Sequence, residues 1–168
     1  MELLQVFDDN KNMLDEYVER DKKTELPQGK YFMIILLFIQ NNEGKFLIQK
    51  TSKEKGSVYA VTGGHVTYKD NALTTCIKEA EEELGLTLSK DELEEIDVLK
   101  YDVGYAAIYY LKKNIDINTL TLQEEEVESI SWMSIDEINN LINENKLRKG
   151  NIEAFRKVLE KKTKGYKL

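Results

Sequence analysis

The most constraining feature of this chain is a short acidic helix enclosed between two glycines. The segment from Gly64 to Leu86 reads GHVTYKDNALTTCIKEAEEELGL, and its last two helical turns carry Glu79, Glu81, Glu82 and Glu83. A helix C-terminus has partial negative charge, so each carboxylate there is disfavoured by about 0.3–1 kcal/mol, and neighbours at i+3 and i+4 repel. Sequences break local rules mainly at functional sites. Clustered carboxylates are the ligands that a hard divalent cation prefers.

A helical wheel separates these glutamates into two groups. Glu79, Glu82 and Glu83 share one face, whereas Glu81 projects elsewhere. An apolar stripe lies about 130° away and consists of Leu73, Ile77, Ala80 and Leu84. Asp70 or Asn71 is a natural N-cap, and Gly85 suits the left-handed residue that ends a helix. The pattern therefore predicts a docked helix that holds three carboxylates toward a cleft.

The same segment resembles the Nudix box, G-x5-E-x7-R-E-U-x-E-E-x-G-U, in which U is a bulky aliphatic residue. The matching positions are Gly64, Glu79, Glu82, Glu83, Gly85 and Leu86. The chain departs from the pattern where Asp70 replaces Glu, Lys78 replaces Arg and Ala80 occupies a U position. The spacing is intact, so the resemblance identifies the chain as a Nudix protein, while a solvated acidic helix is the structural alternative for the glutamates alone.

The resemblance implies a metal site and a brace. Glu79, Glu82 and Glu83 would be the metal ligands, with the Gly64 carbonyl contributing, and the metal would be Mg²⁺ or Mn²⁺. In the family the box Glu and Arg are thought to pair, so Asp70 and Lys78 would form the brace here. Asp is one methylene shorter than Glu, and Lys cannot supply the bidentate fork of Arg. We therefore expect a brace that is looser or is carried by other contacts, around an unchanged metal site.

A second acidic stretch offers a base. EEEVESISWMSIDEI, which begins at Glu124, resembles the closing strand and helix of the family. Glu126, directly before Val127, is the best candidate for a catalytic base or further ligand, although one of the box glutamates could equally be the base. A solvated acidic loop is an equally weighted alternative for Glu126. Two further sets could contact substrate or simply be packing and surface residues: Tyr105, Tyr109 and Tyr110, and Lys50, Lys53 and Lys55.

The order of patterns along the chain predicts an α/β fold. Strands are expected at Lys30 to Gln40, Lys45 to Lys50, Ser57 to Thr62, Asp97 to Lys112 (one strand or two) and Val127 to Met133, and a capping box at Ser134 starts a helix through Leu141. Mixed strands with helices on both sides suggest an α/β/α sandwich with a mixed sheet. We expect one domain over residues 1–168, with a Nudix-type core at about 30–141. An N-terminal hairpin (Leu3 to Phe7, Met13 to Val18) and a C-terminal helix are additions.

Charge is unevenly distributed. The net charge is −7, yet residues 145–168 contain nine Lys or Arg against Glu153 and Glu160. Such a basic end could touch nucleic acid. However, a helical stripe of Ile152, Phe155, Val158 and Leu159 runs through it, which favours a docked helix with a solvated basic face. We therefore expect no nucleic-acid partner.

The cysteine count and the apolar segments limit the kinds of site and the cell compartment that we expect. The single cysteine, Cys76, excludes an internal disulfide and a multi-cysteine zinc site. Acidic residues begin at Glu2 and no apolar signal segment follows, so we expect a cytoplasmic protein. The apolar run from Phe32 to Ile39 is too short to cross a bilayer and reads as a buried strand. No membrane association is expected, and a homodimer stays open.

These features predict a Mg²⁺-dependent pyrophosphohydrolase. Its substrate would be a small molecule with a phosphoanhydride bond, namely a nucleoside diphosphate linked to another moiety. The alternative is a Nudix-like nucleotide-binding or regulatory module with weak or no catalysis. The hairpin, FLIQK and GGHV also resemble the isopentenyl diphosphate isomerase-like branch. An isomerase reaction is disfavoured because Cys76 lies inside the box helix and His65 is the only histidine.

Overall fold

The computed structural model describes residues 2–22, 25–102 and 104–163. The strands are β1 (Leu3–Phe7), β2 (Met13–Glu19), β3 (Phe32–Gln40), β4 (Phe46–Thr51), β5 (Tyr59–Ala60), β6 (Thr62–His65), β7 (Glu94–Tyr101), β8 (Gly104–Lys112) and β9 (Val127–Met133). The helices are α1 (Ala72–Leu84), α2 (Ile135–Asn143) and α3 (Ile152–Lys162).

Strand β3 is the centre of a mixed sheet. It pairs in parallel with β8 and antiparallel with β6, and it contacts β4 only at its end, where Gln40 faces Phe46. Strand β7 extends one side beyond β8, while β4 pairs with β5 and β9 on the other. The short pairing with β6 places Gly63 and Gly64 beside the middle of β3, and a loop then leads from His65 to the acidic helix.

The sheet is covered by helices on both faces, which confirms the predicted α/β/α arrangement. Alternate residues of β3 point to opposite faces. One face buries Met33, Ile35, Leu37 and Ile39 with Cys76, Ala80 and Leu84 of α1. The other buries Leu36 and Phe38 with Ile138 of α2 and Phe155, Val158 and Leu159 of α3. Burial on both faces explains why the sequence of β3 is continuously apolar rather than alternating.

Most predicted elements are present with small shifts in their ends. The stretch expected as one strand from Ser57 to Thr62 is instead the two strands β5 and β6, and the stretch from Asp97 to Lys112 is two strands that begin at Glu94. The basic C-terminal segment forms α3, which buries its apolar stripe as expected; residues 164–168 of that segment lie outside the described residues. Within the described part of the chain, no helix is long and apolar enough to span a membrane.

Candidate metal centre

Helix α1 has the ends that its sequence predicts. Asn71, rather than Asp70, is the N-cap, and its side chain accepts a hydrogen bond from the Thr74 N–H at 2.9 Å. Gly85 ends the helix with a left-handed φ of 65°. The loop before β9 covers this end, since the N–H groups of Thr121 and Gln123 donate to the carbonyls of Leu84 and Glu83 at 3.1 Å. These bonds satisfy carbonyl groups that a helix end otherwise leaves unpaired.

The buried face of α1 lies closer to the glutamates than the wheel suggests. Cys76, Ala80 and Leu84 are fully buried, whereas Ile77, which the wheel placed in the apolar stripe, is only partly buried and does not join the core. Glu83 is 7% exposed. The helix therefore buries one carboxylate along with its apolar residues, a placement that wheel geometry alone does not reveal.

Gly64 lies directly against Glu79. A Cβ placed on Gly64 would stand 2.5 Å from the Glu79 carboxylate carbon and one of its oxygens. No side chain other than hydrogen fits this approach without moving the carboxylate. The glycine of the box thus allows the β6 backbone to approach the Glu79 carboxylate closely, and its φ is not in the left-handed region.

Glu79 and Glu83 hydrogen bond to one another, and both resist ionisation. Burial raises the pKa of Glu83 first, and the hydrogen bond and the charge of Glu79 raise it further, while a hydrogen bond from Gln49 lowers it. Burial likewise raises the pKa of Glu79, and nearby acidic groups add to the shift. Two carboxylates this close cannot both be charged without a cation between or beside them.

Glu126 also converges on this pair. Its charge raises the pKa values of both Glu79 and Glu83. It is half-buried, and one of its oxygens lies 3.4 Å from the Lys55 ammonium. Its backbone carbonyl accepts from the Ser52 N–H at 3.0 Å, which ties the loop before β9 to the end of β4. Glu126 is therefore placed beside the box glutamates although it is distant in sequence.

Glu82 is exposed and lines an adjoining cleft of about 180 Å³. The cleft is lined by Glu2, His65, Thr67, Thr75, Lys78, Glu79 and Glu82. The Thr75 hydroxyl is buried and has no hydrogen-bond partner among the described residues. Glu2 was not anticipated from the sequence, although its charge reaches Glu79. Only the fold of the N-terminal hairpin brings it here.

The two residues of the expected brace are in contact. Lys78 Nζ lies 3.2 Å from Asp70 Oδ2, and the Asn71 N–H donates to Asp70 Oδ1 at 2.9 Å. Lys78 is about half exposed and Asp70 is mostly covered. Lysine thus makes one hydrogen bond where the arginine of the family pattern could make two.

The donor set fits a hard divalent cation. Carboxylate oxygens, a neighbouring backbone carbonyl and an unpartnered hydroxyl are oxygen ligands of the kind that Mg²⁺ and Mn²⁺ prefer. Among the described residues, no three His, Cys, Asp or Glu side chains already stand in a ligating arrangement.

A second, apolar cleft of about 240 Å³ shares His65 with the polar one. It is lined by Phe32, Ile34, His65, Tyr101, Gly104, Tyr105 and Gly150. The tyrosines considered from the sequence divide accordingly: Tyr105 lines this cleft, whereas Tyr109 and Tyr110 are buried in the two cores. Lys50 pairs with Glu128 at 3.5 Å, which favours its reading as a surface residue.

Cys76 takes no part in the site chemistry. Burial, with a smaller contribution from Glu79, raises the pKa of its thiol to about 12. A thiol with such a pKa is not a nucleophile at neutral pH. This agrees with the sequence argument against an isomerase that needs a reactive cysteine.

Comparison with known proteins places the chain in a family. Residues 30–158 match the NUDIX domain family. The chain belongs to the Nudix family. Its box, fold and family match together confirm the prediction that it is a Nudix hydrolase. An uncharacterized Nudix hydrolase of Listeria innocua is 24% identical over 77% of this chain and 82% of its own length. Another, from Clostridium acetobutylicum, is 25% identical over 99% of this chain and 85% of its own length.

Solved structures share the fold at low sequence identity. A Deinococcus radiodurans protein superposes with a TM-score of 0.73 at 16% identity, covering 92% of this chain and 98% of its own. A Francisella tularensis bifunctional NMN adenylyltransferase/ADP ribose pyrophosphatase, complexed with AMP and a Mn ion, has a TM-score of 0.60 at 13% identity. The superposition covers 78% of this chain and 41% of the Francisella chain.

Proposed function

We propose that this Nudix hydrolase is a Mg²⁺-dependent pyrophosphohydrolase, with Mn²⁺ as a substitute. Its substrate is a nucleoside diphosphate linked to another moiety, and it cleaves the phosphoanhydride bond. The observation that carries this proposal is that the Glu79 carboxylate packs against Gly64, while Glu83 and Glu126 lie near enough to affect its ionisation. Buried carboxylates held this close are costly unless they serve a cation.

Each residue has a proposed task. Glu79, Glu82, Glu83 and the Gly64 carbonyl would hold the cation, which neutralises phosphate oxygens and activates water when bound. Glu126 approaches the same point from another loop, and we assign it the role of base. Lys55 orients its carboxylate through their ion pair. Gln49 holds Glu83 from the side, with its amide also donating to the Thr62 hydroxyl at 2.5 Å.

The two clefts suggest how the substrate lies. The polar cleft beside Glu79 and Glu82 suits the diphosphate, and the apolar cleft suits an uncharged flat group such as a nucleobase. His65 lies at their junction. Two structural neighbours support a nucleotide substrate by their names: the Francisella protein above and a Caenorhabditis elegans Ap4A hydrolase with a TM-score of 0.55. Phosphoanhydride cleavage requires mainly positioning and charge stabilisation, which this arrangement can supply.

The proposal is tested by activity and metal binding together. Purified protein is assayed with Mg²⁺ against dinucleoside polyphosphates, nucleoside diphosphate sugars, nucleoside triphosphates and prenyl diphosphates. We expect turnover of a nucleoside diphosphate derivative, lost in Glu82→Gln and Glu83→Gln. Glu81→Gln is the matched control, because Glu81 is an exposed neighbour outside the cleft lining.

Several outcomes would overturn the proposal. If Glu82→Gln and Glu83→Gln turn over substrate as fast as the Glu81→Gln control, the metal site is ruled out. Tight binding of a nucleotide without cleavage would favour the regulatory module instead. Cleavage of prenyl diphosphates alone would redirect the substrate assignment.

A further inference from the structure

The N-terminal hairpin is joined to the loop between β6 and α1. The Gln5 N–H donates to the Val66 carbonyl at 3.1 Å, and the Tyr68 N–H donates to the Leu3 carbonyl at 2.8 Å. Leu4 and Thr67 form an antiparallel bridge between these bonds. The loop that leads from Gly64 to Asp70 therefore has β1 as a pairing partner, although β1 lies outside the segment that matches the family.

Gln5 fastens this junction with its side chain. It is 1% exposed. Its Oε1 accepts from the Lys69 N–H at 2.8 Å, and its Nε2 donates to the Leu14 carbonyl of β2 at 2.5 Å. One buried amide thus joins β1, β2 and the loop, and it leaves neither of its ends unpaired.

The residue that Gln5 holds is conformationally unusual. Lys69 has a φ of 67°, a left-handed conformation that is unfavourable for a residue with a side chain. Asp70 follows immediately, so the direction of its carboxylate depends on the conformation of Lys69. Because Lys78 supplies only one hydrogen bond to Asp70, that ion pair by itself leaves the loop freedom to shift.

We propose that Gln5 is a positioning residue for the divalent-metal site. It holds Lys69 in its left-handed conformation, and this conformation directs Asp70 toward Lys78. The loop that leads from Gly64 to Asp70 is thereby kept in place, with Gly64 against Glu79. The N-terminal hairpin thereby supplies rigidity that the Asp70–Lys78 pair lacks. This inference rests on the proposed function, which supplies the metal site, but it assigns a role to a residue that contacts neither metal nor substrate.

The test compares two buried glutamines. Gln5→Met removes both hydrogen bonds at similar length. Gln40→Met is the matched control, since Gln40 is 8% exposed, accepts from the Tyr110 hydroxyl and donates to the Gly44 carbonyl at the far end of β3. Mn²⁺ binding is measured by calorimetry on the full chain, and amide hydrogen exchange is followed at Lys69. We expect about tenfold weaker Mn²⁺ binding and lost protection of Lys69 in Gln5→Met only.

The outcomes separate this inference from the proposed function. Equal Mn²⁺ affinity in Gln5→Met and Gln40→Met, with wild-type binding that depends on Glu83, would refute the positioning role and leave the metal site standing. Wild-type Mn²⁺ binding that does not depend on Glu82 or Glu83 would refute the proposed function itself. If Gln5→Met does not fold, Gln5→Asn provides the same comparison, because it keeps the amide but is too short to reach Lys69. Unchanged Mn²⁺ affinity in Gln5→Asn would also refute the inference.

Discussion

Helices α1 and α2 carry their acidic residues at opposite ends. Helix α2 begins with Ser134 and carries Asp136 and Glu137 in its first turn, where Glu137 completes a capping box. Helix α1 has no acidic residue in its first turn and carries its glutamates at the other end. The charges of α2 complement the helix dipole and stabilise the fold. Those of α1 oppose it, which indicates that they are retained for a ligand.

The environments of the two acidic turns differ as well. Glu137 is exposed, and its hydrogen bonds with Ser134 lower its pKa. Glu83 is buried against Glu79, and its pKa is raised. The protein therefore stabilises the charged form of Glu137, whereas the charged form of Glu83 needs a ligand from outside the chain. The following predictions test this contrast, beginning with the largest effect.

Substituting Gly64 should affect the metal centre most strongly. Gly64→Ala places a Cβ 2.5 Å from the Glu79 carboxylate and must displace it. We expect hydrolytic activity to fall by roughly a hundredfold, the scale for disturbing groups that orient a metal ligand. Glu81→Gln is the control, since Glu81 is exposed and lies outside the lining of the clefts. Comparable activity of both variants would mean that the close approach to Glu79 is not needed.

Replacing the buried Glu83 should stabilise the metal-free protein. We expect Glu83→Gln to raise its free energy of unfolding by about 2 kcal/mol at neutral pH, because folding of the variant no longer requires a carboxyl group that is ionised in the unfolded chain to take up a proton. Thermal unfolding in a chelator measures this. Added Mg²⁺ should stabilise the wild type but not the variant. A Glu83→Gln variant that is less stable than wild type in chelator would contradict the account of α1.

The stability gained by Glu83→Gln in chelator should increase with pH. The folded-state pKa of Glu83 lies above its ordinary value of 4.5, so folding favours the protonated form. The stabilising contribution is complete below about pH 4.5 and is lost as pH rises toward the folded-state pKa. In chelator, the difference in free energy of unfolding between Glu83→Gln and wild type should therefore grow between pH 5 and pH 8. The increase should be of the size that the pKa shift of one carboxyl group produces. A constant advantage across this range would show that charge is not its cause.

Truncating the cap of α2 should have a purely structural cost. Ser134→Ala removes the hydroxyl that accepts from the Glu137 N–H at 3.1 Å. We expect a loss of about 1 kcal/mol in the free energy of unfolding, the usual value for an N-cap. Activity and Mg²⁺ dependence should not change, as steady-state assays below the melting temperature would verify. A change in Mg²⁺ dependence would break the distinction between the two helices.

The smallest effect is expected from restoring the family residue in the brace. Lys78→Arg offers Asp70 a second hydrogen bond, but the side chain at this position is about half exposed. We expect a gain of about 0.3 kcal/mol, typical of an ion pair near solvent. Chemical denaturation of the two proteins would measure it. A gain well above this value would show that the lysine brace, rather than Gln5, limits the rigidity of the loop.

Several site features follow from local sequence and others do not. The ends of α1, the face shared by Glu79, Glu82 and Glu83, and the residues of β9 are set by helical or strand periodicity and by nearby caps. The burial of Glu83 is different, because it depends on which side of α1 meets the sheet. The contribution of Gln49 depends on the pairing of β4, and no pattern around it marks it as a partner of Glu83.

The sequence alone determined that this chain would form a Nudix-type α/β/α sandwich with an acidic helix after the glycine pair Gly63–Gly64. This was possible because periodicity, capping and box spacing involve residues close in sequence. Tertiary structure alone decided that Glu83 is buried, that Glu126 and Glu2 approach Glu79, and that Gln5 holds the loop before Asp70. These contacts join segments that are far apart in the chain, so they depend on strand pairing and helix docking rather than on local preference.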